Sequence, residues 1–362
     1  MLYTKSSIKV LDLFSGTGGL SEGFQQSSSA YKIVAAVEMD KAAAASYEAT
    51  FGKGLVKAKS IQEWLREGEI PGQVDVIIGG PPCQGFSTLG KQNEEDERNY
   101  LWSQYAETIK RTKPKYFVLE NVPSFLSSVQ YSNFVAVTNK NGYLKDYSIE
   151  AKILNAADYG VPQLRKRAVV IGHHKDLNAP GFPAVTHSSK YITVRDALAA
   201  VPEHVTDTCL PDNRFYSFED KVFPGAFSPV ELHLTRVYSE LSKQRFSHIP
   251  EGGNRFDLPD NLKAECWKKY VRGATDVMGR LRWDKPSVTI RTEFYKPEKG
   301  RYLHPAEDRA ITLYEAALLQ GFLPTHKFVG SKAAIARQIG NAVPIPLARA
   351  IGKHIVECLE KC

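Results

Sequence analysis

The chain has 362 residues, with 47 lysines and arginines against 40 aspartates and glutamates and a formal net charge of +7. That length is too great for a minimal domain and suits one large α/β domain with a smaller companion, while the mild basic excess admits a polyanionic partner without identifying one. The five cysteines, Cys83, Cys209, Cys266, Cys358 and Cys362, are scattered with no Cys-x-x-Cys pair. Such spacing argues against a disulfide framework or a structural zinc and for a reducing compartment. No long apolar stretch is present, so the expectation is a soluble, intracellular protein without signal peptide or membrane span, cytoplasmic in a bacterium.

Residues 8–14 read as a buried strand running into Ser15-Gly16-Thr17-Gly18-Gly19, with a helix over 20–26 behind it. Strand, glycine turn and helix make a nucleotide-type pocket. The dinucleotide fingerprint would need a third glycine at position 21, which is Ser21, so a pyrophosphate cradle is not the best reading. Residues 33–37 form a second apolar strand that ends at Glu38, where a carboxylate can accept hydrogen bonds from ribose hydroxyls. Taken alone, Glu38 and Asp40 would equally suit a solvated strand end. An alanine-rich helix over 41–51 follows.

Residues 74–78 are a short, largely β-branched apolar run, read as a parallel strand and stopped by Gly79-Gly80-Pro81-Pro82. Cys83 is thereby delivered at the carboxyl end of a strand, the edge at which open α/β sheets bind ligands. A lone cysteine is ordinarily a small buried apolar residue. The glycines and prolines before it, and Gln84-Gly85-Phe86-Ser87 after it, remove most of the weight of that reading. Residues 93–98 are charged with no apolar side chain, which predicts an exposed, mobile loop. A helix over 100–111 and a strand over 116–119 lead to Glu120-Asn121-Val122. An antiparallel edge strand over 147–154 then leads to Gln163-Leu164-Arg165-Lys166-Arg167 and a strand over 168–172. If that polar run is extended, Gln163, Arg165 and Arg167 share one face. Glu38, Cys83 and Glu120 would then stand at the carboxyl edges of three strands, an arrangement hard to assign to chance.

From 173 to 278 prolines, histidines and aromatics dominate and periodicity fades. Arg236, Lys243, Arg245, Arg255, Lys268, Lys269 and Arg272 supply cations for phosphate contacts with a polyanionic partner, and Gly252-Gly253 would let the backbone approach it closely. A structural insertion fits the same composition. Periodicity returns over 309–322, a helix with Thr312 as N-cap and Glu315 completing a capping box. Gln338-Ile339-Gly340-Asn341-Ala342-Val343-Pro344 precedes a last helix with apolar side Leu347, Ile351, Ile355 and Leu359.

In sequence order, Asp12-Leu13-Phe14-Ser15-Gly16-Thr17-Gly18-Gly19, Pro82-Cys83, Glu120-Asn121-Val122, Gln163-x-Arg165-x-Arg167, the 309–322 segment and Gln338 to Pro344 resemble the motifs of the DNA (cytosine-5) methyltransferases. The resemblance covers residues 8–172 and 279 to the last helix. It implies an α/β fold, a Rossmann-like S-adenosylmethionine-dependent methyltransferase sheet with a second, smaller target-recognition domain. The expected division is 1–172 catalytic and cofactor-binding, 173–278 target recognition, and 279–362 returning to the catalytic domain.

The resemblance also implies site residues. S-adenosyl-L-methionine, leaving as S-adenosyl-L-homocysteine, would be held by Phe14, Ser15, Gly16, Thr17, Gly18, Gly19, Glu38, Met39, Ser60, Ile61, Gly80, Pro82, Leu101, Asn341 and Val343. Ser60 stands where the family usually carries an acidic residue. Cys83 would attack C6 of cytosine, Glu120 would act at N3, Arg165 at O2 and Arg167 in support; Gln84, Ser87, Arg98 and Gln163 would contact DNA. The implied substrate is double-stranded DNA with the target base flipped out, in a restriction-modification setting that admits a cognate endonuclease acting separately. One flipped base per active site permits a monomer, and neither a metal cluster nor a membrane enters the reading. The alternatives are an RNA (tRNA) cytosine-5 methyltransferase on the same fold and a non-catalytic DNA- or cofactor-binding homologue. A nicotinamide oxidoreductase is weakened by Ser21 and by a Pro-Pro-Cys loop with no role in hydride transfer.

Overall fold

The computed structural model describes residues 7–82, 100–269, 272–273 and 275–361. By its internal contacts the chain divides into two units, one of Met1–Tyr159, Lys166–Thr186 and Val343–Cys362, the other of Gly160–Arg165 and His187–Ala342.

In the first unit the short apolar runs become strands: β1 (Ile8–Leu13), β2 (Tyr31–Val37), β3 (Val56–Lys57), β4 (Val76–Gly79), β5 (Tyr116–Asn121), β6 (Tyr147–Asn155) and β7 (Lys166–His174). They form one sheet in the order β3-β2-β1-β4-β5-β7-β6. β1 to β5 pair in parallel, whereas β7 runs antiparallel to both β5 and β6. Every residue of β5 is buried, which is why these strands read as unbroken apolar runs: helices cover both faces of a parallel sheet. The covering helices are α1 (Gly19–Ser27), α2 (Lys41–Phe51), α3 (Ile61–Glu67), α4 (Leu101–Thr112) and α5 (Val129–Thr138). Leu13, Trp64, Ile77, Tyr105, Phe117 and Phe134 are centres of the core beneath them. Between β1 and β4 the winding of the sheet reverses, so the carboxyl ends of these strands frame the switch-point crevice where such sheets bind ligands.

The second unit carries α6 (Val194–Leu198), β8 (Phe215–Phe218), β9 (Lys221–Phe227), α7 (Glu240–Ser247), α8 (Glu265–Lys269), β10 (Gly279–Arg280), β11 (Arg301–Leu303), α9 (Leu313–Gln320), β12 (Phe328–Val329) and α10 (Lys332–Asn341). β12, β9 and β8 make a small antiparallel sheet, and β10 pairs with β11 in parallel. These pairings correct the expected division. β12 adds to β9, and Phe246, Ile249, Leu258, Met278 and Leu303 share one core, so residues 279–342 belong with the second unit. The return to the first unit begins at Val343, with α11 (Ile345–Leu359) packed on α1. A Cβ on Gly23 of α1 would fall 2.4 Å from that of Ala348, so the two helices meet at a contact only glycine permits.

Candidate active site

The turn after β1 is built by backbone geometry. Ser15 N donates to Val37 O at 3.1 Å and Gly18 N to Ser15 O at 2.9 Å. Phe14 sits at φ 56°, a left-handed conformation that costs a non-glycine residue on the order of 1–3 kcal/mol and tends to cluster at functional sites. Gly18, at φ 98°, is required twice over, since a Cβ there would also lie 2.2 Å from Phe51 Cε2. From the end of β2, Glu38 accepts Gly16 N at 2.8 Å on one carboxylate oxygen and Asp40 N at 2.7 Å on the other. Burial raises its carboxyl above the usual range. Met39 beside it is 69% exposed, and the buried hydroxyl of Ser15 has no partner among the described residues. A carboxylate for a diol, an open thioether for an apolar ring and an unsatisfied hydroxyl suit a nucleoside-bearing methyl donor.

The other residues expected at this pocket take varied places. Thr17 and Gly19 are buried in the turn and the first position of α1. Ser60 is the N-cap of α3: its hydroxyl accepts Glu63 N at 3.2 Å and donates to Glu63 Oε2 at 2.8 Å, a complete capping box. That hydroxyl is therefore committed locally, and Ile61 and Leu101 point into the core. Val343 is buried in the first unit, and Asn341 is the exposed last residue of α10 in the second.

At the next strand ends, β5 is longer than expected and includes Glu120 and Asn121 as its last two residues. Glu120 Oε1 accepts Arg167 Nε at 2.8 Å, with side chains 11% and 14% exposed. Because β7 runs antiparallel to β5, its beginning lies at the carboxyl end of β5, and that reversal delivers Arg167 to Glu120. A Cβ on Gly80 would approach Glu120 Oε2 to 3.2 Å, so glycine keeps the second carboxylate oxygen open. Asn121, to which the sequence reading gave no role of its own, donates from Nδ2 to Pro81 O at 3.0 Å and accepts Val122 N at 2.8 Å. It braces the loop at Pro81. Cys83, Gln84, Ser87 and Arg98 lie outside the described residues.

The polar run 163–167 is not one functional face, and two expectations are corrected. Arg165 belongs to the second unit, is 2% exposed, and donates to Ile290 O at 2.7 Å and Gly340 O at 2.9 Å. Its guanidinium ties backbone together, and the arginine beside Glu120 is Arg167. Gln163, fully buried, donates to Leu319 O and Gln320 Oε1 and accepts Ile290 N, so its amide is engaged inside the protein. Both residues are drawn inward by unpaired backbone groups of residues more than a hundred positions away, which alternation along a strand could not reveal.

The sequence profile of the C-5 cytosine-specific DNA methylases matches residues 8–357. The chain is similar to the type II methyltransferase M1.HphI of Haemophilus parahaemolyticus, 33% identical over 97% of this chain and 87% of that protein. It is also similar to M.PspPI of Psychrobacter sp., 34% identical over 98% of this chain and 80% of that protein. Among solved structures, an Escherichia coli prophage protein described as a candidate DNA modification methyltransferase superposes with a TM-score of 0.73 at 26% identity, covering 98% of this chain and all of that one. With a profile that spans nearly every residue and relatives at least 33% identical that are matched over four-fifths or more of their own length, the chain belongs to the C-5 cytosine-specific DNA methylase family.

Proposed function

We propose that this protein methylates C5 of a flipped-out cytosine within a short, specific duplex DNA sequence, and that it protects host DNA in a restriction-modification system whose endonuclease acts separately. The observation that carries the site assignment is the Glu120–Arg167 pair at the carboxyl end of β5, beside the loop that leads to Cys83. Family membership carries the reaction class.

C5 of cytosine is a weak nucleophile, and covalent addition at C6 overcomes this. The Cys83 thiolate forms a bond to C6, and the C5–C6 π pair shifts into the ring toward N3 and O2. Glu120 donates a proton or hydrogen bond at N3, and Arg167, next to it, stabilises the charge at the neighbouring O2. We assign this cationic role to Arg167 in place of Arg165, whose donors hold Ile290 and Gly340. C5 now has enamine character. When bound, S-adenosylmethionine would supply an electrophilic methyl group on a sulfonium, the C5–CH3 bond forming as the S–CH3 bond breaks and S-adenosylhomocysteine leaves. Loss of the C5 proton to water re-forms the C5–C6 double bond as the C6–S bond breaks and the thiolate is released. Flipping the base costs on the order of a few kcal/mol of stacking and pairing. Phe14 to Gly19, Glu38 and Met39 form the donor site in this reading, and a monomer suffices.

The test is transfer of labelled methyl groups to unmethylated duplex DNA, with Cys83→Ser and a tRNA substrate in parallel. Label in DNA cytosine that disappears in the variant is the expected result. Label in tRNA alone would move the protein to the RNA branch of this chemistry, and label in neither would overturn the assignment.

A further inference from the structure

Ser21, the residue that breaks the dinucleotide fingerprint, lies at the junction of a buried hydrogen-bond chain. It is fully buried in α1 and donates to Asp12 Oδ2 of β1 at 2.6 Å. Its single proton is thereby used, so the 2.7 Å contact with Tyr47 of α2 must have the tyrosine hydroxyl as donor. The order Tyr47 O–H to Ser21 and Ser21 O–H to Asp12 ties together the strand before the glycine turn, the helix after it, and the helix that walls it. Tyr47 is also part of the wall behind Gly18, since a Cβ there would lie 3.1 Å from its ring. The other Asp12 oxygen is buried with no partner among the described residues.

We propose that Asp12, held through Ser21 and Tyr47, is a positioning residue for the methyl donor: it sets the glycine turn from below while Glu38 holds it from β2, and its negative charge favours a cationic ligand over a neutral one. The proposal rests on the reading of this turn as the donor site. Burial pushes the Asp12 carboxyl up to about 7, with Glu38 adding to the rise and Ser21 opposing it. The titratable groups facing Asp12 are Glu38 at the end of β2, Tyr47 of α2 and Tyr105 of α4; neighbouring β4 carries none. Burial holds both tyrosines well above the usual phenol range, so they stay protonated and Asp12 and Glu38 are the groups that change charge.

The experiment is calorimetric binding of S-adenosylmethionine and, separately, S-adenosylhomocysteine to the full chain without DNA, from pH 6 to 8.5. Wild type should bind the sulfonium compound more tightly as pH rises through about 7, with a smaller change for the neutral product. Asp12→Asn should flatten that difference, and Ser21→Ala should weaken both ligands by roughly tenfold. Tyr47→Phe keeps the ring behind Gly18 and removes only the hydroxyl, so it reports on the chain even if the other variants fold poorly; a rise in Kd of several-fold is expected. If all variants that fold bind both ligands as wild type does, with unchanged pH profiles and only a lower melting temperature, the chain is structural and the proposal fails. If wild type binds neither ligand, the reading of the turn itself fails.

Discussion

The sheet edge of the first unit and the interior of the second handle polar groups in opposite ways. At the edge, the Ser15 hydroxyl and one Asp12 oxygen are buried without partners among the described residues, and Met39 is open. Inside the second unit, Arg280 donates to the carbonyls of Phe246, Ile249, His304 and Glu307 and pairs with Asp308, and Arg301 gathers the carbonyls of Gly252, Gly253 and Arg280. Unsatisfied buried groups are costly, and those beside the glycine turn fit the donor site proposed above, whereas arginines that satisfy loop carbonyls are scaffold.

The contrast is most sharply broken at Glu120 and Arg167. Glu120→Gln should lower methyl transfer by about 10²–10⁴-fold, and Arg167→Met by a comparable factor. If Arg165→Met lowers turnover without lowering stability, the reassignment from Arg165 to Arg167 is wrong. In the second unit, Arg309 grips Glu315 through two bonds of 2.8 and 2.7 Å, both side chains nearly inaccessible. Arg309→Met leaves that carboxylate buried and unpaired, and denaturant unfolding should show a loss of about 3–5 kcal/mol. Ser60→Ala should cost about 1 kcal/mol through the lost cap. Its affinity for S-adenosylmethionine should stay near wild type, because the hydroxyl serves Glu63.

The smallest effect is one of acidity. Burial lowers the His304 imidazole to about 4. A histidine depressed in the folded state contributes stability above its unfolded value, near 6.5, and that contribution is lost as pH falls from there toward 4. Between pH 7 and 6 the loss is less than about 1 kcal/mol, and His304→Gln should remove that slope from a series of unfolding curves.

Much of the first unit was readable because its strands are short apolar runs that end in glycine, proline or a carboxylate. The glycine turn, the helix over 41–51 and the Thr312–Glu315 capping box all depend on neighbours within a few residues, and all are in place. What depended on distant partners was not readable. Of the cations nominated for phosphate, Arg255 is buried over Phe256, Arg245 donates to Leu262 O and stacks on Trp267, and Arg236 donates to Tyr295 O. Lys243 and Lys268 pair with Glu240 and Glu265, while Lys269 and Arg272 are exposed. Composition counts charges; it does not say which are spent on carbonyls. Gly252-Gly253 likewise turns its carbonyls to Arg301.

The packing of α11 on α1 has a consequence for the order of synthesis. Tyr31 donates its hydroxyl to Gly352 O across 321 residues of sequence, and Gly23 of α1 fits against Ala348. Chains emerge from the ribosome at about 5–20 residues per second, so α1 and the turn before it exist for tens of seconds with one flank uncovered. The nascent first unit therefore presents bare apolar surface to chaperones, and the flank of its glycine turn is covered only when the late helix arrives. A truncation that removes α11 should leave a chain that is recognised as unfinished.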